Sequence, residues 1–328
     1  LSGRTELLRL LADGALHSGE ELAAALSVSR TAVWKRLQQL GDFGIALEAR
    51  AGSGYRLESP IELLDERAIR AQLPPAVAAV LRTLEVHETL GSTSDRLLAV
   101  RSLPPGRFDA CLAEFQDAGR GRRGRRWVAP FASGLCLSLS WSYRDAPAML
   151  GALSLAAGVA CLRALGRFGI EGIGLKWPND LVHGDAKLGG ILIDLRGEAA
   201  GPAYVVVGIG LNLRLPRAAR EALAAEGAQV LDLAAVGVVP GRNALAAVLI
   251  AELHQALVEF GARGMAAFSE EWGQADALAG RPVTVLHGGE ALEGVARGVD
   301  ADGALLLEAA GTRRRIVSGE VSVRPRLK

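Results

Sequence analysis

Lysine is nearly absent from this chain. Of 37 basic residues, only Lys35, Lys176, Lys187 and Lys328 are lysines. Where a forked guanidinium serves, the chain uses arginine, so a retained lysine marks a place for a compact ammonium. Cysteine is also scarce. Cys111, Cys136 and Cys161 are odd in number, and their spacing suits neither a metal site nor a redox pair. They read as buried free thiols of a reducing cytoplasm. No signal peptide is visible. His17, His87, His183, His254 and His287 have no ligand spacing, so no protein metal site is expected. A net charge of +1 excludes a polycation. The uncharged run 146–162 falls short of the ~20 residues of a membrane span and reads as a helix buried against a sheet.

What is present is enough for several domains: 328 residues, half of them hydrophobic. The pattern predicts a multidomain α+β protein of three units, 1–63, 64–272 and 273–328. In the first, "TELLRLLAD" and "HSGEELAAAL" read as helices, the second opened by a Ser18–Glu21 capping box. "SVSRTAVWKRLQQLG" supplies a turn and a third helix, capped by Ser29 and stopped at Gly41. Val33, Leu37 and Leu40 share one face of it, and Thr31, Lys35 and Gln38 the other. A hairpin around Gly52-Ser53-Gly54 completes a winged helix-turn-helix. Arg30, Thr31, Lys35, Arg36 and Gln38 are the candidate DNA contacts. Seven basic residues face seven acidic ones over residues 1–60, so charge is focused on the third helix and wing rather than abundant. Trp34 is placed beside Leu37 and read as packing.

The second unit has strand candidates at 84–88, 110–115, 135–141, 173–177, 188–195 and 203–211. Its helices are expected over 93–101, 147–168, 242–263 and 264–272, a mixed α/β domain. After Trp272, short strands between Gly-rich turns read as a small β-barrel.

Chemistry gathers in the second unit. "AGRGRRGRRWV", 118–128, holds five arginines and three glycines directly after a strand. That placement favours a loop curling around an anion over a solvated basic loop or a nucleic-acid contact. "ETLGSTSDRLL" sets Ser92, Thr93 and Ser94 at a helix start, where hydroxyls and free amides bind a small polar group or simply cap. "LKWPNDL" runs a strand into a Pro-Asn-Asp turn. "AKLGGILIDL" puts Lys187 at a strand mouth, with Gly189 and Gly190 giving a ligand room for close approach.

Together these segments resemble the biotin–protein ligases, in the bifunctional bacterial form that also represses the biotin synthesis operon. The resemblance spans "SVSRTAVWKRL", "GSTS", "EFQDAGRGRRGRRW", "KWPND", "KLGGIL" and "VGIGLNL". Ser94 stands where Asn is frequent, and Gly189 where Ala is. The resemblance implies a ligase domain of the class II synthetase kind and an SH3-like terminal barrel. Biotin and Mg2+-ATP would give biotinyl-5′-AMP, and a lysine of the biotin carboxyl carrier protein of acetyl-CoA carboxylase would take the biotin. Ser92, Thr93, Ser94, Gln116, Arg120, Gly121, Arg122 and Lys187 would then contact biotin. Arg120, Arg122, Trp127, Asn179 and Asn212 would contact the nucleotide, with Trp127 as a cover or as core. Lys187 and Arg122 suit the reacting anions. Asp180 is the candidate to orient or deprotonate the incoming amine, or is a turn cap. Residues 214–227 are a second candidate ligand-closing loop. The adenylate would promote a homodimer on operator DNA of the biotin genes, with no membrane involved. A ligase without regulation, a lipoate–protein ligase and a non-catalytic sensor are the alternatives.

Overall fold

A computed structural model describes residues 3–50, 52–100, 103–104, 106–144, 150–197, 202–237, 239–288 and 290–323. Lys328, Arg101, Gly289 and the expected helix start at 147–149 lie outside the described residues.

The first unit consists of α1 (Gly3–Leu11), α2 (Gly19–Ala25), α3 (Arg30–Leu40), β1 (Leu47–Arg50) and β2 (Gly54–Leu57). The capping box forms. Glu21 N donates to Ser18 Oγ at 3.1 Å, and Ser18 N to the Glu21 carboxylate at 2.8 Å. Ser29 Oγ accepts from Ala32 N at 3.2 Å and opens α3. Val33, Leu37 and Leu40 pack with Leu7, Leu8 and Leu11, while Thr31, Lys35 and Gln38 are exposed. β1 and β2 pair as an antiparallel wing.

Two residues of α3 depart from expectation. Trp34 is 51% exposed rather than packed. It stands about 90° from the centre of the buried stripe and only about 65° from the centre of the polar face. Arg36 leans the other way. Its angle is about 40° from that of Leu40, and its Nη1 donates to Gly3 O on α1 at 3.3 Å.

The middle unit runs α4 (Glu66–Ala71), α5 (Pro75–Val80), β3 (Leu81–Leu90), α6 (Thr93–Leu98), β4 (Phe108–Gln116), β5 (Gly134–Tyr143), α7 (Leu153–Gly166), β6 (Gly174–Lys176) and β7 (Asp180–His183). It continues with β8 (Ala186–Gly197), β9 (Ala203–Asn212), α8 (Arg217–Ala225), α9 (Leu233–Val236), α10 (Arg242–Arg263) and α11 (Ser269–Ala275). The sheet order is β3-β4-β5-β9-β8-β7-β6. Only β3 and β4 pair in parallel. Strand alternation gives this sheet two unlike faces. Leu135, Leu137 and Leu139 of β5, with Val205, Val207 and Ile209 of β9, join the apolar core beneath α7 and α10. Ser138 of β5 and Gly208 and Gly210 of β9 point the other way, towards α6 and the cavity described below. Helix α10, extended by a tight turn to Ala267, is long and apolar enough to cross a membrane. Here Leu245, Leu249, Leu253 and Phe260 bury it in the core. The helix expected over 264–272 forms as a short 3-10 turn over 264–267 followed by α11, and 217–225 form α8 where a loop is expected.

The last unit holds β10 (Pro282–His287), β11 (Glu290–Val299), β12 (Leu305–Ala309), β13 (Thr312–Ile316) and β14 (Glu320–Val323). They pair antiparallel in the order β13-β12-β11-β10-β14, an open order among the described residues.

Neither end unit keeps a wholly private core. Phe43, just after α3, meets Phe115 and Phe131 edge-on at 5.2 and 6.3 Å. Arg4 lies 3.8 Å over the Phe43 ring and pairs with Glu88. Val283, Val285, Leu305 and Leu307 belong to the same cluster as the central helices, and Trp177 Nε1 donates to Gly303 O at 3.0 Å.

At the junction of the last two units, Asp276 Oδ2 and Trp272 Nε1 are buried without partners among the described residues. Burial pushes the Asp276 carboxyl up to about 6. A raised carboxyl favours the folded state while protonated. That stability is full below the unfolded value near 4 and is lost as pH rises through about 6. Asp276→Asn therefore raises the unfolding temperature at pH 7.5 by a few degrees, at about 2–4 °C per kcal/mol. The gain vanishes near pH 4, and thermal scans across pH measure it.

Candidate active site

A cavity of about 680 Å3 opens on the small-residue face of the sheet. Its floor is Gly190 of β8 and Gly208 and Gly210 of β9. A side chain at Gly208 would collide with Ser94 Oγ at 2.7 Å, and one at Gly210 with the Trp127 ring at 2.4 Å. These glycines are what bring α6 and Trp127 down onto the strands. Gly189 alternates away from the cavity. Its missing side chain makes room for Gly210 O at 2.8 Å and for Leu211, so it serves strand packing and not the ligand approach expected of it.

One end wall is α6. Ser92 Oγ caps it, accepting from Asp95 N at 3.3 Å. Gln116 Oε1, at the end of β4, accepts from Thr93 N at 2.7 Å and Thr93 Oγ1 at 3.1 Å. Ser138 Oγ lies beneath, 2.8 Å from Thr93 Oγ1 and 3.0 Å from Ser94 Oγ. Sequence reasoning passed over Ser138. The Ser-polar alternation against Leu135, Leu137 and Leu139 was its only signal.

The Gly-Arg stretch folds as a small hairpin. Gly121 N donates to Arg125 O at 2.7 Å and Trp127 N to Gly119 O at 2.9 Å. A side chain at Gly119 would meet Trp127 O at 2.7 Å, so the closure needs glycine there. Its arginines are distributed. Arg120 reaches Asp95 at 2.7 Å and Asp194 at 2.9 Å. Arg125 and Arg123 reach Glu320 of β14 at 2.7 and 3.8 Å. Arg126 donates to Asp117 O at 3.1 Å. Arg122 has no carboxylate partner among the described residues, and its Nη1 donates to Asn179 Oδ1 at 3.3 Å. Burial, then the neighbouring Arg123, hold its guanidinium below the usual arginine range. An anion entering the cavity would reverse that penalty.

The opposite wall comes from the β6–β7 hairpin and the mouth of β8. Lys187 Nζ donates to Asp180 Oδ1 at 2.6 Å and lies 5.8 Å from the Trp127 ring centre. Asn179 Nδ2 donates to Ile191 O at 2.7 Å, and Asn212 Nδ2 to Leu231 O at 3.1 Å. Leu223, Glu226, Gly227 and Ala228, at the end of α8, close one side. Trp127 Nε1 is buried without a partner among the described residues.

Ser92, Thr93, Ser94, Gln116, Arg120, Gly121, Arg122, Trp127, Asn179, Asp180, Lys187 and Asn212 all line this one cavity. Lys176, the other lysine of this unit, does not; burial holds its ammonium below the ordinary lysine range. Arg30, Thr31, Lys35 and Gln38 are exposed on α3, in a separate unit, and Arg36 turns towards α1. Arg30 pairs with Glu20 at 3.1 Å, and Arg50 and Arg56 share Glu48, so the wing's positive charge is partly neutralised. Glu85, His87 and Cys111 bring ligand atoms within 4.8 Å of one another. Arg96 holds the Glu85 carboxylate through two bonds of 2.8 and 2.7 Å, and burial pushes the Cys111 thiol up to about 12. That is a poor cradle for a cation.

Comparison with known proteins matches this geometry to one group. Residues 87–212 match the biotin/lipoate A/B protein ligase family, 279–324 the biotin protein ligase C terminal domain, and 4–56 an HTH domain. The chain is 40% identical over 320 residues to the bifunctional ligase/repressor BirA of Escherichia coli (strain K12), covering 97% of this chain and 96% of the relative. It is 35% identical to the biotin–[acetyl-CoA-carboxylase] ligase of Mycobacterium tuberculosis, over 81% of this chain and 97% of that one. The biotin protein ligase from Aquifex aeolicus in complex with biotin and ATP superposes with a TM-score of 0.59 at 25% identity, covering 74% of this chain and 98% of the other. Similarity of this extent, from the helix-turn-helix to the terminal sheet, makes the chain a member of the biotin protein ligase family in its bifunctional ligase/repressor form.

Proposed function

We propose that the cavity joins biotin to ATP as biotinyl-5′-AMP and passes the biotinyl group to a lysine of a biotin carboxyl carrier protein. The observation that carries this is the convergence of the hydroxyl-lined end, the Gly-Arg hairpin and Lys187 in one cavity of about 680 Å3. That volume lies within the range usual for small-molecule sites.

The Thr93–Ser94–Gln116–Ser138 end offers directional polar groups for the biotin ring. The biotin carboxylate then points towards Arg122 and Lys187. Its oxygen attacks the α-phosphorus of ATP and pyrophosphate leaves, with Mg2+ entering as part of the ATP substrate. Fixed cations are what this step needs, since charge develops on the phosphoryl oxygens. Arg122 and Arg126 are the two guanidinium groups of the hairpin without a carboxylate partner among the described residues. Arg126 is exposed and bonded to a main-chain oxygen, so Arg122, half-buried beside Asn179, is the one placed to meet the phosphate. Asn179 holds it in place, and Trp127 and Leu223 offer apolar surfaces for the base.

Lys187 begins paired with Asp180. When its ammonium turns to the new anion, the Asp180 carboxylate is released. It can then accept a proton from the carrier's ammonium, whose free amine attacks the anhydride carbonyl and expels AMP. The pair thus switches from the first step to the second.

The exposed Thr31–Lys35–Gln38 face supports operator binding. Along residues 192–196, β8 pairs with β9 on one side and has no strand on the other among the described residues. Leu195 there is 53% exposed. This edge supports a homodimer by sheet extension, strengthened by the adenylate, in the cytoplasm. A lipoate ligase is the second reading, and the match to a biotin ligase C-terminal domain disfavours it.

Lys187→Ala lowers pyrophosphate release at least tenfold with the fold intact, since one well-placed electrostatic donor contributes about 3 kcal/mol to the transition state. Lys187→Arg does not restore it. Near-normal turnover would remove Lys187 from the chemistry. Asp180→Asn slows biotin transfer to the carrier more than adenylate formation, and stopped-flow measurement of the two half-reactions separates them. On a biotin-operon promoter, DNA affinity rises with biotin plus ATP, by roughly 5–150-fold for 1–3 kcal/mol of coupling. It falls again when carrier consumes the adenylate. Identical isotherms would refute the regulatory half alone.

A further inference from the structure

We infer that Trp34 is a base-reading residue, seated on a thymine C5-methyl group in the major groove. The inference rests on the operator-binding reading above. Trp141, Trp177 and Trp272 are each 8% exposed or less, whereas Trp34 leaves 51% of its surface in solvent. It lines a groove between α3 and the wing, beside Arg30, Thr31, Arg50 and Ser53. A tryptophan half in solvent beside a groove offers both an apolar face and a polar N–H, the combination enriched where another molecule docks.

Charge says which molecule. Lys35, next in sequence and exposed, has no carboxylate partner among the described residues. The Arg30–Glu20 and Arg50–Glu48 pairs are solvent-facing, so they cost little to exchange for phosphates. The groove thus carries Arg30 and Arg50, with Glu20 beside them, around the apolar surface of Trp34 and Val33. A second protein chain would have to match those arginines with carboxylates around a hydrophobic anchor. Duplex DNA offers the combination in every turn, because phosphates flank a major groove whose one apolar feature is the thymine methyl. Trp34 is the fifth residue of α3, within the N-terminal half of a recognition helix that reaches base edges. Its angle, between the buried stripe and the polar face, directs it to the side where the wing closes.

The test selects binding duplexes from a random pool with the full-length protein, biotin and MgATP, and uses the recovered duplex as probe. Each thymine is then replaced by deoxyuridine, which lacks only the methyl group. At one position per half-site the replacement should weaken the wild-type protein about fourfold, the value of one buried methyl. The same replacement should leave Trp34→Ala unaffected. Trp34→Ala should bind the parent duplex at least tenfold more weakly, Trp34→Phe should retain most of the affinity, and the ligase rates of both should equal the wild type. Equal DNA affinity of Trp34→Ala and wild type would overturn the inference. So would a weaker Trp34→Ala that keeps the wild-type sensitivity to deoxyuridine, and so would a change in self-association with unchanged duplex preference. Failure to recover any preferred duplex would instead refute operator binding itself.

Discussion

Five guanidinium groups on eleven residues repel one another, and the site depends on how that repulsion is relieved. Each relief comes from a different part of the chain. Asp95 of α6 and Asp194 of β8 hold Arg120, Glu320 of the last strand holds Arg125 and Arg123, and a main-chain oxygen takes Arg126. The hairpin is thereby tied at once to the hydroxyl-bearing helix, the central sheet and the C-terminal unit. Arg122 is left with an amide oxygen as its neighbour, half-buried and short of negative charge. The same arrangement that folds the loop leaves Arg122 at the cavity without a carboxylate partner among the described residues.

The sheet is the second constraint. A strand must alternate, and here the alternation separates two duties. One set of side chains on β5 and β9 is leucine, valine and isoleucine and fills the core under α7 and α10. The other set has Ser138, Gly208 and Gly210 beside the cavity, with Val206 and Tyr204 further along packing on Leu97 of α6. At the glycines a helix and a tryptophan ring approach the backbone closely, because no side chain stands in the way. Core and site are two readings of the same residues, so substituting one face shifts the other through the shared strands.

The winged helix and the catalytic unit meet where the site ends. Phe43 packs between Phe115, which precedes Gln116, and Phe131, four residues after Trp127. Glu88 and Thr89, just before the Gly-Ser-Thr-Ser turn, bond Arg4 of α1. The chain reads as a string of modules, yet the packing gives them common walls.

Much of this was legible in the sequence. Hydrophobic spacing located the three N-terminal helices, and local rules named Ser18, Glu21 and Ser29 as caps, because capping bonds close within three residues. The glycines and arginines of 118–128 and the isolated Lys187 announced chemistry by composition alone. Other features were settled only by the tertiary structure. Helical angle placed Trp34 near Leu37, but it lies about 90° from the centre of the whole buried stripe, on a flank that the tertiary packing leaves exposed. Gly189 and Gly190 look alike in sequence, and strand register sends one to packing and the other to the cavity. The partners of the arginines, Asp194 at a separation of 74 residues and Glu320 at the far end of the chain, have no local signal. Composition determined that a cationic loop exists; the crossing of distant strands decided which of its charges meet carboxylates, because ion pairing depends on distance in space and not along the chain.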